Sequence, residues 1–416
     1  MTTNGSTKAT DGAVLIAAAG WHDDQPGGAN KLSTDFARFL ASRGHRVAYL
    51  CPSPSGRRAA LTIDGVNVRR YSSPTAPSPS LRNLKEHWQA TQHITAQLDG
   101  ETPIKALLGH SPLQYLAASG QLGPHVRRCY CVHSPFEAEL REAVTGVPTL
   151  KQRTFWRGAA WVERRLLQRS DLVHYDSAFT KNYMEGRYPV ATRGKGLVLP
   201  GWVDEGRFHP PSTSRDEVRR KLGAPWMPGV PTFFTLRRLV PRMGLDTLLE
   251  AAAQLASRGR VFRLVVGGDG PQRSALEAQA VTSGIGDRVA FLGRVPENDL
   301  ADTFAAADCF VLPTRALECF GLIVLESFAC GVPVVGVPVG SIPEVMGPDF
   351  QEWVATGNSA SAIADRMGDV LSGHLTAAPA ALRARAATFR MATVAERHER
   401  ILLGGSREEA AHAARR

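Results

Sequence analysis

Short apolar runs alternate with helix-period stretches along most of the chain. Val14 to Ala19 forms the first run, after a polar leader, and ends in a loop holding Pro26, Gly27 and Gly28. Leu32, Phe36, Phe39 and Leu40 then recur at i, i+4, i+7 and i+8, which predicts an amphipathic helix stopped by Gly44. Val47 to Leu50 reads as the next strand, with later strands at 105–109, 129–132 and 171–175 and a long helical stretch near 151–169. The second half repeats the pattern more cleanly. A strand at 232–236 leads to a helix whose Leu245, Leu248, Leu249, Ala252 and Leu255 share one face and which Gly259 ends. A strand at 261–266, a helix after Pro271, a strand at 288–292, a helix at 298–307 and a strand at 309–312 follow. A helix at 321–330, stopped by Gly331, and a strand at 332–336 complete the set.

Strands alternating with helices predict parallel sheets with helices on both faces. Two such runs occur, joined by LPGWVDEGRFHPPS (199–212), which is rich in Pro and Gly, and 416 residues exceed one ordinary core. The expected architecture is α/β: two doubly wound, Rossmann-like domains facing each other. Ligands of such sheets bind beyond the carboxyl ends of the strands, so each strand-to-loop junction is a candidate position.

Composition narrows the partners. Hydrophobic residues make up 43% and charged residues 21%, the balance of a water-soluble protein. No apolar run reaches the roughly 18 residues of a membrane-spanning helix, and the polar leader has no apolar core of a signal peptide. Six cysteines without a CxxC pair suggest buried thiols in a reducing cytoplasm. The net charge of +10 suits nucleic acid, an anionic membrane surface or a phosphorylated small molecule. Basic residues are spread along the chain without a nucleic-acid motif, so no nucleic-acid partner is expected.

The strongest chemical signal is PTRALECFGLIVLESFACGVPVV, residues 313–335. A strand ends at Pro313, a loop presents Glu318 and a helix starts near Gly321. Glu326, eight positions after Glu318, then lies about a turn and a half inside that helix. Two carboxylates so placed suit different parts of one extended ligand. Backbone N–H groups at Phe320, Gly321 and Leu322 would face it, and the helix N-terminus favours its negative charge. An isolated Glu pair would read as an ordinary capped helix; the whole block favours the ligand.

This block resembles the glutamate–seven residues–glutamate motif of the retaining glycosyltransferase family 4, which has the GT-B fold. FFTLRRLVPRMGLDTLLEA (233–251) is similar to the family segment that grips the donor diphosphate, and VVGGDGP (265–271) to its glycine loop. FLGRVPENDL (291–300) resembles the segment that reads the base, LPGWVDEGRFHP (199–210) the interdomain linker and VGSIPEV (339–345) the closing loop. The resemblance runs from Val14 to about Leu402, strongest over 232–345 and looser in the first half, where acceptors are chosen. The polar N-terminus reads as a disordered leader (1–12), and the resemblance implies an acceptor-side domain (13–198), the linker (199–212), a nucleotide-sugar domain (213–385), a C-terminal helix (386–404) with a route back to the first domain, and a tail (405–416).

By the same resemblance Glu318 holds a donor sugar hydroxyl, Glu326 the ribose hydroxyls, and Phe320, Gly321 and Leu322 offer amides to sugar and phosphate. Arg238 contacts the diphosphate, while Arg294 and Val295 flank the base. Gly28, with Gly27 beside it, matches the glycine loop near donor phosphate and acceptor. His133 matches the histidine near the far sugar hydroxyl, and His110 a position facing the cleft on the acceptor side. The implied catalytic set is Glu318, His133 and Arg238. One position departs: the family lysine five residues after the arginine is Met243, and the neighbouring Arg242 is the candidate to replace it.

Without an Asp-x-Asp or ligand-spaced histidines, neither a metal nor a cofactor is expected beyond the nucleotide-sugar co-substrate. The absence of GxGxxG counts against a nicotinamide dehydrogenase. The expected activity is transfer, with retention, from a UDP- or GDP-sugar to a small soluble acceptor such as a specialised metabolite, cyclitol, aminosugar or thiol, in the cytoplasm. Rival readings are a sugar-nucleotide epimerase, a phosphorylase, a sugar-nucleotide-binding protein without turnover, and a peripheral-membrane transferase with a lipid acceptor. The last would use Phe155, Trp156 and Trp161 with the arginines of 151–169, where a solvated face on a packed helix is the expectation. The oligomeric state is left open.

Overall fold

The computed structural model describes residues 12–72, 81–142 and 147–404. The expected leader up to Asp11, the tail from 405 and the whole loop PTAPSPS (74–80) lie outside the described residues.

The first sheet contains β1 (Ala13–Ala17), β2 (Val47–Pro52), β3 (Ala59–Ile63), β4 (Val66–Tyr71), β5 (Ile104–Gly109), β6 (Arg127–Val132), β7 (Leu172–Tyr175) and β8 (Gly196–Val198). Its order is β3-β4-β2-β1-β5-β6-β7-β8, parallel throughout except for the β3–β4 hairpin. Asp64 and Gly65 both take positive φ (50° and 78°), as a tight two-residue hairpin turn requires. Along β1 the side chains divide between the two faces. Val14 and Ile16 pack with the helix Gly28–Ser42 through Leu32, Phe36 and Leu40, and Leu15 and Ala17 pack with Leu107 and Tyr115. A strand covered on both faces must be apolar at every position, which is why this one reads as an unbroken run.

The second sheet contains β9 (Thr232–Leu236), β10 (Arg263–Gly267), β11 (Val289–Gly293), β12 (Cys309–Leu312) and β13 (Val334–Gly336), all parallel, in the order β11-β10-β9-β12-β13. One core spans it, from Phe233, Phe234 and Leu264 to Val324, Leu325 and Phe328. The strands lie within two residues of the predicted positions. The helix expected at 298–307 is a 3-10 turn at Glu297–Asp299 followed by Leu300–Ala305.

Each sheet has one strand from which the order runs both ways, β1 in the first and β9 in the second. Crevices at the carboxyl ends of such strands are where open α/β sheets take ligands. The chain crosses between domains twice. Residues 199–203 lead out, and a return segment leads to the helix Met391–Leu403, whose Val394, Ala395, Ile401 and Leu402 join the core around Val14, Ile16 and Phe36. The expected single helix from 386 is therefore interrupted: Pro379–Ala387 ends before Thr388, and the next helix opens at Met391. Val203 N–H donates to the Phe389 carbonyl (3.0 Å) and Met391 N–H to the Val203 carbonyl (3.2 Å), so the two crossings run bonded side by side.

Candidate active site

The second domain contributes the loop after β12. Its backbone is held in an uncommon shape: Leu317 takes φ 57° and Gly321 φ 79°, a conformation that a β-carbon disfavours. Glu318 stands between them, buried. Its carboxylate accepts from Thr314 Oγ1 (2.8 Å) and from the Arg237 guanidinium, and its carbonyl accepts from Ser341 N–H (2.8 Å). Gly340 lies against the same carbonyl so closely that a β-carbon there would stand 2.1 Å from the oxygen. The helix Leu322–Ala329 then opens at Gly321 with no side-chain cap, which leaves first-turn N–H groups for a ligand.

Glu326, the fifth residue of that helix, is half-buried. Desolvation raises its pKa above the usual carboxylate value, although Lys31 and Arg207 pull the other way. Lys31 comes from the first domain, in the turn after Gly27 and Gly28, and its ammonium is 3.1 Å from Asp35. A β-carbon on Gly28 would touch Leu322 Cδ1 at 3.5 Å, so the glycine loop faces the start of the Glu326 helix across the gap. Nearby, His22 of the first domain stands 3.5 Å from Glu297 of the second, which also pairs with Arg207. The nearby His22, with the paired Arg207, outweighs desolvation and holds the Glu297 carboxyl down at about 2.

His110 follows β5 and His133 follows β6. His133 Nδ1 lies 2.9 Å from Asp176 Oδ2 and His133 Nε2 lies 2.7 Å from His110 Nδ1. A carboxylate only accepts, so His133 Nδ1–H donates to Asp176, and its Nε2 shares a hydrogen bond with His110 Nδ1. His110 Nε2 is left as a buried nitrogen without a partner among the described residues. Burial, with His133 next to it, pushes the His110 pKa well below its ordinary value, so the ring stays neutral near pH 7. Both ring nitrogens of His133 are thus engaged within the protein, whereas His110 keeps one nitrogen unpartnered among the described residues.

The lobes touch around these groups. Thr180 Oγ1 donates to the Cys319 carbonyl (3.1 Å), as Ser177 Oγ does, and Glu344 accepts from Ala178 and Phe179 N–H. Arg242 is committed to this closure. Its guanidinium bonds Glu139 (3.0 Å) and the Leu317 carbonyl (3.4 Å). Met243, the position of the family lysine, is itself buried.

The remaining expected residues divide by exposure. Arg238 and Arg294 are exposed at strand-end loops, and Val295 is half-buried beside Gly267. Phe320 is buried, its ring against Phe389 at 5.8 Å, so only its backbone is offered to a ligand. Asp176 and Arg237 had not been singled out. Asp176 carried a usable signal, since an acid directly after an apolar strand in a doubly wound sheet lies at the ligand edge. Among the described residues no group of three or more His, Cys, Asp or Glu stands close enough to hold a metal ion. All six cysteines are free and buried.

Two Rossmann-like domains with polar residues converging between them define the GT-B class of glycosyltransferase folds. Sucrose-phosphate synthase from Thermosynechococcus elongatus superposes with a TM-score of 0.77 over 94% of this chain and 97% of that one, at 20% identity, a likeness of fold. The description Glycosyltransferase Family 4 matches residues 26–207, and Glycosyl transferases group 1 matches 214–388. The chain belongs to the family 4 glycosyltransferases. It is 33% identical over 218 residues to a GDP-mannose-dependent alpha-(1-6)-phosphatidylinositol monomannoside mannosyltransferase of Mycobacterium tuberculosis, covering 50% of this chain and 55% of that protein. It is 32% identical over 219 residues to a D-inositol 3-phosphate glycosyltransferase of Actinosynnema mirum, covering 50% and 51%. The chain thus spans about half the length of the curated relatives it matches.

Proposed function

We propose that this protein transfers a sugar from a nucleoside diphosphate donor to a hydroxyl of a cyclitol-bearing acceptor, with retention at the anomeric carbon. One observation carries the reading: Glu318 and Glu326 flank an uncapped helix start at the switch point of the second sheet, opposite the glycine loop of the first. That start suits a diphosphate, Glu326 suits the vicinal hydroxyls of a ribose, and Glu318 suits a sugar hydroxyl.

Retention by double displacement needs a nucleophile on the reverse face of the sugar. The family motif nominates none, which favours a front-face reaction. The glycosidic C–O bond to the diphosphate breaks, the acceptor oxygen bonds the anomeric carbon from the same side, and its proton passes to the departing phosphate oxygen. The chain's part is electrostatic and geometric: guanidinium and helix N-terminus stabilise the leaving charge, while Glu318 and His110 hold the sugar. The two relatives named above support the acceptor class, since both names specify an inositol.

A thermal-shift screen with UDP-, GDP- and dTDP-sugars, followed by transfer to inositol and inositol phosphate, tests the proposal. Stabilisation by none of the donors would refute it. Conversion of donor alone, without acceptor, would point to an epimerase, and tight donor binding without transfer to any acceptor would point to a binding protein.

A second reading places the cyclitol on a lipid. The helix Leu150–Arg169 exposes Leu150 (80%), Phe155 (51%) and Trp161 (59%) among Lys151, Arg153, Arg157, Arg164 and Arg165, and its single acid, Glu163, is buried. A basic face studded with aromatic and aliphatic side chains fits an anionic membrane surface. Salt-sensitive sedimentation with phosphatidylinositol vesicles, absent with neutral ones, would favour it.

A further inference from the structure

Position 243 is where the resemblance calls for a lysine, and Met243 brings no charge there. Arg242 is held by Glu139 and the Leu317 carbonyl, and Arg238 is exposed. The guanidinium that does reach the spot comes from Arg237, at the end of β9. Its Nη2 lies 2.9 Å from Met243 Sδ and 3.2 Å from Thr314 Oγ1, and it pairs with the Glu318 carboxylate. The side chain is only 9% exposed, and its Nε–H is buried without a hydrogen-bond partner among the described residues.

An arginine this enclosed with an unused N–H is an incomplete arrangement. Guanidinium donors are spread in a fixed plane, and a buried one left unmatched is unfavourable until an acceptor reaches it. Arg237 Nη2 holds Glu318, Thr314 and Met243, which leaves the unmatched Nε–H as the donor an oxyanion would have to meet. Glu318 Oε1 lies close to Gly321, with a β-carbon built on that glycine 3.7 Å from it, so the carboxylate bridges Arg237 and the uncapped helix start.

We propose that Arg237 is the diphosphate-binding cation of this protein, having taken over from residue 237 the place that residue 243 leaves uncharged. This rests on the nucleotide-sugar reading above. The arginine binds a phosphoryl oxygen of the donor and, through Glu318, couples that charge to the seating of the sugar. The leaving diphosphate is then stabilised by a side chain that also touches the sugar-binding carboxylate, an arrangement a lysine at 243 would not require.

The test is a calorimetric comparison of UDP and GDP with uridine and guanosine on four proteins: wild type, R237M, R237K and the swap R237G/M243K. The expected result is at least a tenfold loss of diphosphate affinity in R237M, a smaller loss in R237K, nucleoside binding unchanged in both, and recovery to within about threefold of wild type in the swap. Equal loss of nucleoside and diphosphate binding would show a merely structural role and overturn the inference, as would wild-type diphosphate affinity in R237M. If R237M does not fold, R237K with its nucleoside control decides: a selective loss of diphosphate affinity supports the inference, and wild-type diphosphate affinity or an equal loss of nucleoside affinity overturns it. Wild type that binds neither diphosphate would instead refute the nucleotide-sugar reading itself.

Discussion

Glu344, on the second domain, accepts the backbone N–H of Ala178 at 2.9 Å and that of Phe179 at 3.3 Å, so it caps a helix belonging to the first domain. The helix Ala178–Arg187 thereby completes its N-terminus only while the lobes are together. Helix caps are worth about 1 kcal/mol, with a further few tenths for a carboxylate at the positive end of the dipole.

Glu344→Ala should shift the open–closed balance toward open by about fivefold, the Boltzmann weight of about 1 kcal/mol. Small-angle scattering of the free protein should show a larger radius of gyration, and the donor KM should rise several-fold. Unchanged scattering and KM would mean that closure does not depend on this cap.

Glu318→Gln keeps the shape of the side chain and removes its charge. Turnover should fall by about a hundredfold, the usual cost of losing one aligned electrostatic contact to a transition state. Affinity for the nucleoside diphosphate alone should stay within a few-fold. Turnover equal to wild type would take Glu318 out of the reaction.

The raised pKa of Glu326 predicts a pH signature. The free protein favours the protonated carboxyl, because burial penalises the charge, so whatever stability this group contributes is present at low pH and lost as pH rises through its folded pKa. Ribose hydroxyls donating to the carboxylate favour the ionised form, so binding releases a proton in that window. Nucleotide affinity should therefore climb as pH rises above the ordinary carboxylate range and then level off, and Glu326→Gln should flatten the climb. Calorimetry in buffers of different ionisation enthalpy reads the released proton; a flat profile in wild type would contradict the ribose assignment.

Phe155→Glu with Trp161→Glu changes only exposed side chains, so the melting temperature should hold to within the ±0.5 kcal/mol typical of surface substitutions, roughly one or two degrees for a chain of this size. Transfer to a soluble cyclitol should stay within about twofold. Loss of that transfer in the folded double variant would show that this helix face belongs to the acceptor site.

The second domain was more legible than the first, for a physical reason. Its strands are short, doubly covered and separated by helices with glycine stops, so the apolar runs at 232–236 and 309–312 coincide with β9 and β12. The hairpin β3–β4 went unseen because β3 is a short, largely exposed edge strand whose Ala59 and Ala60 give little strand preference, although the turn at Asp64–Gly65 was a signal. Within the site, the spacing of Glu318 and Glu326 carried over directly, since a helix converts sequence distance into position. The partners of Arg242 and His133 did not. Glu139 lies 103 residues from Arg242, and Asp176 lies 43 from His133, so only tertiary structure decides what each side chain meets. Arg237 and Arg238 look equivalent in sequence, yet adjacent loop positions face different ways: the Arg237 side chain is only 9% exposed, while Arg238 is exposed.

The paired crossings at Val203 and Phe389–Met391 have a mechanical consequence. A lone tether would let the lobes tumble freely, whereas two strands bonded edge to edge resist twisting and yield mainly to bending. Opening should follow the swing of a book about its spine, with the pages staying in register. Because the last helix is shelved in the first lobe, a protease nick between Ala387 and Met391 would cost the spine one of its two cords and strip a buried layer from the opposite half of the molecule.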